Sequence, residues 1–215
     1  MKDNMKWLLL IPIAVVLAVV MVLFIPRIIS SDSGTSGNAD DASRPEQSQA
    51  TQQEIADIQQ KIDAVTELIA ANPADAEAIK ELGVSYAELG KVQSDSEDFN
   101  GSLRNLKNAV DQFRKYLVLR PTDQEVRIEL GLAYVDMGLI DLGVREIQTV
   151  TVQVSTNQRA WHTLGWALSQ EGKIPEARDA WQKSYNLNPT NTIGQESKQF
   201  LDQTAENQSL DSQNP

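Results

Sequence analysis

Residues 129–147 read ELGLAYVDMGLIDLGVREI and residues 163–181 read TLGWALSQEGKIPEARDAW. They align without a gap: Leu130 with Leu164, Gly131 with Gly165, Tyr134 with Leu168, and Gly138 with Gly172. A fixed offset with matching apolar and glycine positions signals a repeated supersecondary unit, and a period of about 34 residues fits a pair of helices. An earlier stretch, ELGVSYAELGK, carries the same pattern at Leu82, Gly83, Tyr86 and Gly90, 48 residues ahead of the second copy. The extra 14 residues fall within 91–108, which predicts an enlarged turn between the two helices of the first unit. Beyond it the pattern resumes at Ala109, Phe113, Tyr116 and Pro121.

Each recurring residue has a physical role. Bulky side chains interlock the two helices of a hairpin. Gly83, Gly131 and Gly165, with Ala109 and Ala177, let backbones approach closely. The glycines at 90, 138 and 172 suit the left-handed position that ends a helix. Pro121 and Pro189 stop the second helix before the next unit.

On these residues the chain resembles the tetratricopeptide-repeat (TPR) family over about residues 76–189. Trp161, Leu164, Gly165, Gly172, Ala177, Trp181 and Pro189 all fall on family positions. The units are expected at 76–121, 124–157 and 158–189. The second departs from the pattern, with Arg127 at a usually bulky position, Gly143 at the usual Ala, and no Pro near Ser155. Its second helix, followed by TVTVQVST, is expected to be short or irregular, because β-branched residues favour strands. Residues 52–71 place Ile55, Ile58, Ile62, Val65, Leu68 and Ile69 along one helical stripe and are expected to cap the front of the stack. A rear cap is expected at 191–203, because each repeat leaves an apolar face to be covered. The fold class is therefore all-α, a solenoid of helical hairpins over 52–203.

The resemblance also implies a concave groove lined by the first helix of each hairpin. Family groove positions fall on Glu77, Lys80, Val84, Ala87 and Glu88, then Glu125, Ile128, Leu132, Val135 and Asp136, then Arg159, His162, Trp166, Ser169 and Gln170. The candidate partner-binding set is Val84, Glu88, Ile128, Leu132, Val135, Asp136, His162 and Trp166. It mixes an apolar strip with an acidic rim, which suits a peptide or an amphipathic or basic helix. The Lys/Asn/Arg clamp by which some TPR domains hold a terminal carboxylate is absent.

The N-terminus is of another kind. Residues 7–25, WLLLIPIAVVLAVVMVLFI, hold no charge, and 14 of the 19 are Leu, Ile, Val or Phe. A helix of that length spans ~28 Å, close to the hydrocarbon thickness of a bilayer. A cleaved signal peptide would have a shorter apolar region and a small-x-small site, so residues 1–29 are read as an uncleaved single-pass transmembrane anchor. Lys2, Lys6 and the terminal amine favour a cytoplasmic N-terminus and an extracytoplasmic (periplasmic or extracellular) C-terminal domain. Residues 30–51, rich in Ser, Asp, Gly and Gln, are read as a disordered linker, and 204–215 as a disordered tail.

Composition excludes several functions. The net charge is −11; residues 1–30 sum to +2, leaving −13 on the remainder. Such a domain is unsuited to nucleic acid, whose phosphates require Lys and Arg. With no cysteine, disulfides, thiolate metal sites and Cys nucleophiles are ruled out. The lone His162 has no companion at metal-ligand spacing. A calcium-loop reading of SDSEDFNGS fails, because it places Lys107 where a carboxylate is required. No catalytic constellation and no cofactor motif is present, so an enzyme is not expected.

These features point to a membrane-tethered scaffold or adaptor that binds a protein partner, serving assembly of an envelope or respiratory complex. The layout is similar to that of membrane-anchored TPR proteins of bacterial cytochrome c maturation. The alternative is a structural accessory subunit of a larger membrane complex.

Overall fold

The structure, a computed structural model, describes residues 44–211. The apolar stretch 7–25 and residues 30–43 of the predicted linker lie outside the described residues, and among these no helix is long and apolar enough to cross a membrane. The described residues form eight helices: α1 Arg44–Ala71, α2 Ala76–Asp95, α3 Phe99–Leu119, α4 Gln124–Asp136, α5 Ile140–Gln153, α6 Gln158–Gln170, α7 Ile174–Leu187 and α8 Thr192–Asp211.

Five of them start on the same device, α3 on Asp98 and the first helices of the hairpins on residues in a common register. The side chains of Asp75, Asp123, Asn157 and Asn191 accept hydrogen bonds from the backbone N–H groups of Ala78, Val126, Ala160 and Gly194 at 3.1, 3.1, 2.9 and 2.9 Å. A short acceptor at this position satisfies an orphan donor of the first turn. From residue 123 onward these caps recur every 34 residues. The cap of one unit also bonds to the unit before it: Asn157 Nδ2 donates to Gln124 Oε1 (3.0 Å) and Asn191 Nδ2 to Gln158 Oε1 (2.7 Å). By this criterion α8 is the first helix of a fourth unit.

Within each hairpin a large side chain on the second helix fills the space left by a glycine on the first. A Cβ on Gly83 would lie 2.7 Å from the Phe113 ring, one on Gly131 2.6 Å from Ile147, and one on Gly165 2.5 Å from Trp181. Phe113, Ile147 and Trp181 are fully enclosed. Phe200 of α8 stacks on Trp181 with ring centroids 4.9 Å apart, closing the rear of the core.

Consecutive helices pack on one another, and α2, α4, α6 and α8 also touch in succession, whereas α3, α5 and α7 do not touch each other. The first helices therefore form the tight inner layer and the second helices splay outward, the arrangement that curves a helical-repeat stack.

The first hairpin corrects two expectations. No turn has been enlarged. Helix α2 has 20 residues where α4 and α6 have 13, and α3 has 21 where α5 and α7 have 14. The 14 extra residues are thus shared equally, seven to each helix. Seven residues turn a helix through about 700°, some 20° short of two full turns, so the same faces keep meeting. The left-handed turn has moved with them: it lies at Glu97 (φ 66°), as at Gly138 (φ 76°) and Gly172 (φ 79°). Gly90 instead sits inside α2, where a Cβ would come within 2.9 Å of Leu106 and 3.2 Å of the Ser102 carbonyl oxygen. Its small size serves close packing there, and the left-handed role falls to Glu97.

Three boundaries also differ. Helix α5 is regular to Gln153, because Val150 and Thr151 are buried and packing overrides the local preference of β-branched residues. Helix α1 begins at Arg44, inside the stretch read as linker, with Pro45 in its first turn, where a missing N–H costs nothing. Helix α8 runs to Asp211, eight residues past the expected end of the rear cap and into the stretch read as a disordered tail.

Candidate functional site

The inner layer encloses a cavity of about 560 Å³ reached from α2, α3, α4 and α6. Val84, Ala87, Leu132, Ala133 and Trp166 supply apolar wall; Glu88, Lys91, Asp95, Glu129 and Asp136 supply charge. Helical spacing explains the set. Val84, Ala87, Glu88, Lys91 and Asp95 stand at i, i+3, i+4, i+7 and i+11 along one face of α2, and Glu129, Leu132, Ala133 and Asp136 at i, i+3, i+4 and i+7 on α4.

The electrostatics are uneven. Arg159 of α6 reaches back to α4 and pairs with both Glu125 and Glu129, so Glu129 already has its counter-charge. Among the described residues Glu88, Asp95 and Asp136 make no ion pair, and Lys91 is the single cation among the lining residues. The surrounding protein displaces water from Asp136, which pushes its carboxyl above the usual carboxylate range; Lys91 opposes that shift and Glu129 adds to it.

Of the eight residues singled out from sequence, Val84, Glu88, Leu132, Asp136 and Trp166 line this cavity together. Ile128, Val135 and His162 do not. Ile128 is fully enclosed with Val150 and Ala160, in the seam between the second and third hairpins. Val135 is buried against Val144 and Ile147. Ile128 is closed off by Ala160 of the third hairpin together with Val150 of its own, whereas Val135 is already taken by the second helix of its own hairpin. His162 is taken by α8: its Nδ1 lies 2.9 Å from Ser197 Oγ and its Nε2 3.7 Å from a Glu196 oxygen. Burial lowers its pKa; Glu196 opposes this and Arg159 assists it. Among the described residues no three His, Cys, Asp or Glu side chains converge as a metal site.

Sequence reasoning missed the wall contributed by the first hairpin's added turns: Ser94, Asp95 and Ser102, flanked by Lys91 and Leu106. The available signal was the length of the insertion, which is twice seven. The wall is well built. Asn105 Nδ2 donates to Gln93 Oε1 (2.6 Å), Gln93 Nε2 donates to Asp98 Oδ2 (3.0 Å), and Asp98 Oδ1 accepts from the Gly101 N–H (3.0 Å).

On the outer side, Ser155, Trp161, Lys183, Asn186 and Leu187 line a shallower recess. There the Lys183 ammonium lies 4.2 Å from the Trp161 ring centroid, and Trp161 Nε1 donates to the Ser155 carbonyl (2.8 Å). Both partners of Trp161 come from this chain, so the ring is accounted for by packing.

Comparison with known proteins agrees with the geometry. The tetratricopeptide-repeat family model matches residues 158–191. No curated protein matches the sequence. Among solved structures, the MamA RS-1 ArsTM double mutant is similar at 19% identity, with 82% of this chain and 99% of that chain covered and a TM-score of 0.53. The MamA 41-end structure from Desulfovibrio magneticus RS-1 is similar at 17% identity, with 83% and 100% covered and a TM-score of 0.52. At these identities the likeness concerns fold. Residues 158–191 are a tetratricopeptide repeat, and the described residues as a whole form a TPR-like helical solenoid.

Proposed function

We propose that this chain is a membrane-tethered, non-catalytic scaffold that holds a protein partner in the concave cavity. The observation that carries the reading is the cavity itself: an apolar floor shared by three successive inner helices, bordered by Glu88, Asp95 and Asp136, which make no ion pair among the described residues. Three helices spaced along a groove suit an extended or helical segment of a protein, and a floor of Val84, Leu132 and Trp166 suits its apolar side chains. The tether is the uncharged stretch 7–25. The charge bias around it favours an extracytoplasmic domain, where the scaffold would serve assembly of an envelope or respiratory complex.

The test is crosslinking from the groove in living cells. A photo-reactive residue at position 166 or 84 should capture one and the same protein, and one at the exposed Val152 should not. Val84→Arg should abolish that capture at unchanged far-UV circular dichroism, because Val84 is partly exposed and its replacement leaves the core intact. Capture that is equal from positions 166 and 152, or indifferent to Val84→Arg, would overturn the groove assignment. Stoichiometric co-purification with loss of the domain's stability on extraction would favour the accessory-subunit reading over the adaptor.

A further inference from the structure

We propose that the two added turns of the first hairpin turn one end of the groove into a pocket for a cationic side chain, Lys or Arg, carried by a partner helix. This inference rests on the groove reading above and deepens it.

Three observations converge. The first is placement. The turn that ends α4 and α6 directly follows Asp136 and Gln170, whereas α2 continues for seven residues more and carries Ser94 and Asp95 along the cavity wall. By the repeat alignment Glu88 is the counterpart of Asp136, so Asp95 is a further carboxylate two turns beyond the last groove position of an ordinary hairpin.

The second is charge. Glu88, Asp95 and Asp136 border the same cavity without ion-pair partners among the described residues, and the only cation among its lining residues is Lys91. A partner ammonium or guanidinium would supply what this end lacks. A concave site with low-dielectric walls strengthens such an interaction relative to an open surface.

The third is that the added turns are a constructed wall. Leu106 and Ser102 are buried, and the Gln93, Asn105 and Asp98 hydrogen bonds lock the hairpin tip. A helix with apolar residues on the Val84–Leu132–Trp166 floor and a Lys or Arg one or two turns on would meet both parts of the site.

The test uses the full chain in detergent and two labelled amphipathic helical peptides. Both carry the same Leu/Ala face; one has Lys, the other Gln, along its border. The wild-type chain should bind the Lys peptide about tenfold more tightly than the Gln peptide, with the preference shrinking as salt rises. Asp95→Asn should cost the Lys peptide up to about fivefold and leave the Gln peptide unchanged, the range expected of a single solvent-accessible charge pair. Removing residues 92–105 joins Lys91 to Leu106 and restores the 34-residue spacing, with Gly90-Lys91 standing as Gly172-Lys173 does. This variant should keep the weaker, charge-indifferent binding and lose most of the Lys preference. An undiminished Lys preference in Asp95→Asn and in the deletion variant would sink the pocket while leaving the groove standing. Binding of both peptides that ignores Val84→Arg, or no binding of either, would sink the groove and the pocket with it.

Discussion

The first and third hairpins are built on one plan and differ by one insertion. Both lock a glycine on the inner helix against an aromatic ring on the outer one, Gly83 against Phe113 and Gly165 against Trp181. Both inner helices start on a side-chain cap, Asp75 and Asn157. Yet α2 and α3 each exceed α6 and α7 by seven residues. A helical hairpin accepts added length when each helix grows by close to a whole number of turns, as seven residues do, because the interlocking faces then stay aligned. An insertion far from a whole number of turns would have rotated the apolar stripe of one helix away from its partner.

The comparison is open to attack in order of expected effect. Phe113→Ala and Trp181→Ala should each destabilise the domain by about 3–5 kcal/mol, since both rings are enclosed and neither void can collapse easily. Thermal melts by circular dichroism should show similar losses. A marked inequality would mean that the longer hairpin buffers its own lock.

Alanine at Gly83 or Gly165 should cost about 1–3 kcal/mol by overpacking. The loss should be relieved when Trp181 is also made smaller in the Gly165 background. Melting temperatures of the single and double variants would show whether the glycine and the ring act as one unit.

Asparagine separates the two uses of glycine. At Gly172, where φ is 79° and nothing lies within 4 Å of an added Cβ, Asn should cost well under ~1 kcal/mol, because it tolerates the left-handed region. At Gly90, pressed against Leu106, Asn should cost about 1–3 kcal/mol. In the variant lacking 92–105 the Gly90 penalty should vanish, because that residue would then occupy the turn. Urea denaturation of the four proteins checks it.

The smallest expected effect concerns pH. The Tyr116 hydroxyl donates to Asp123 Oδ2 at 2.7 Å, and Asp123 also caps α4. That hydrogen bond, with burial and the Asp123 charge, pushes the phenol up from 10.0 to about 12. The pair's contribution to stability should therefore be complete below pH 10 and disappear as pH rises through about 12. Burial works against the Asp123 carboxylate, but the hydrogen bonds from Tyr116 and the Val126 N–H outweigh it and lower its pKa. At the acid end the contribution should be present above the ordinary carboxylate range and lost as pH falls below it. Asp123→Ala should remove both dependences and about 1 kcal/mol of capping. The equivalent Asn157 cannot titrate, so Asn157→Ala should lower stability without changing its pH profile. Absorbance titration of the tyrosines and stability measured across pH separate the two.

Much of this molecule was legible in one dimension. The 34-residue offset, the glycine and aromatic locks and the stop signals at Pro121 and Pro189 are local patterns, and local patterns are what a sequence displays. The N-terminal caps carry the same period and are just as readable; Asn191 in particular announces α8 as the opening of a fourth unit. Val84, Glu88, Leu132, Asp136 and Trp166 were reachable from repeat position alone.

What the sequence determined by itself is the unit and its period, because each hairpin is held by contacts between residues close along the chain. Only the tertiary structure decided which groove positions remain open. Val135 is covered by its own hairpin, Ile128 where the third hairpin meets the second, and His162 by α8, since exposure depends on how neighbouring helices pack. Only the tertiary structure, too, decided where the 14 additional residues went. Lengthening the turn and lengthening both helices look alike in sequence, and the second prevails because seven residues per helix keep the interlocking faces in register and bury Leu106 between them.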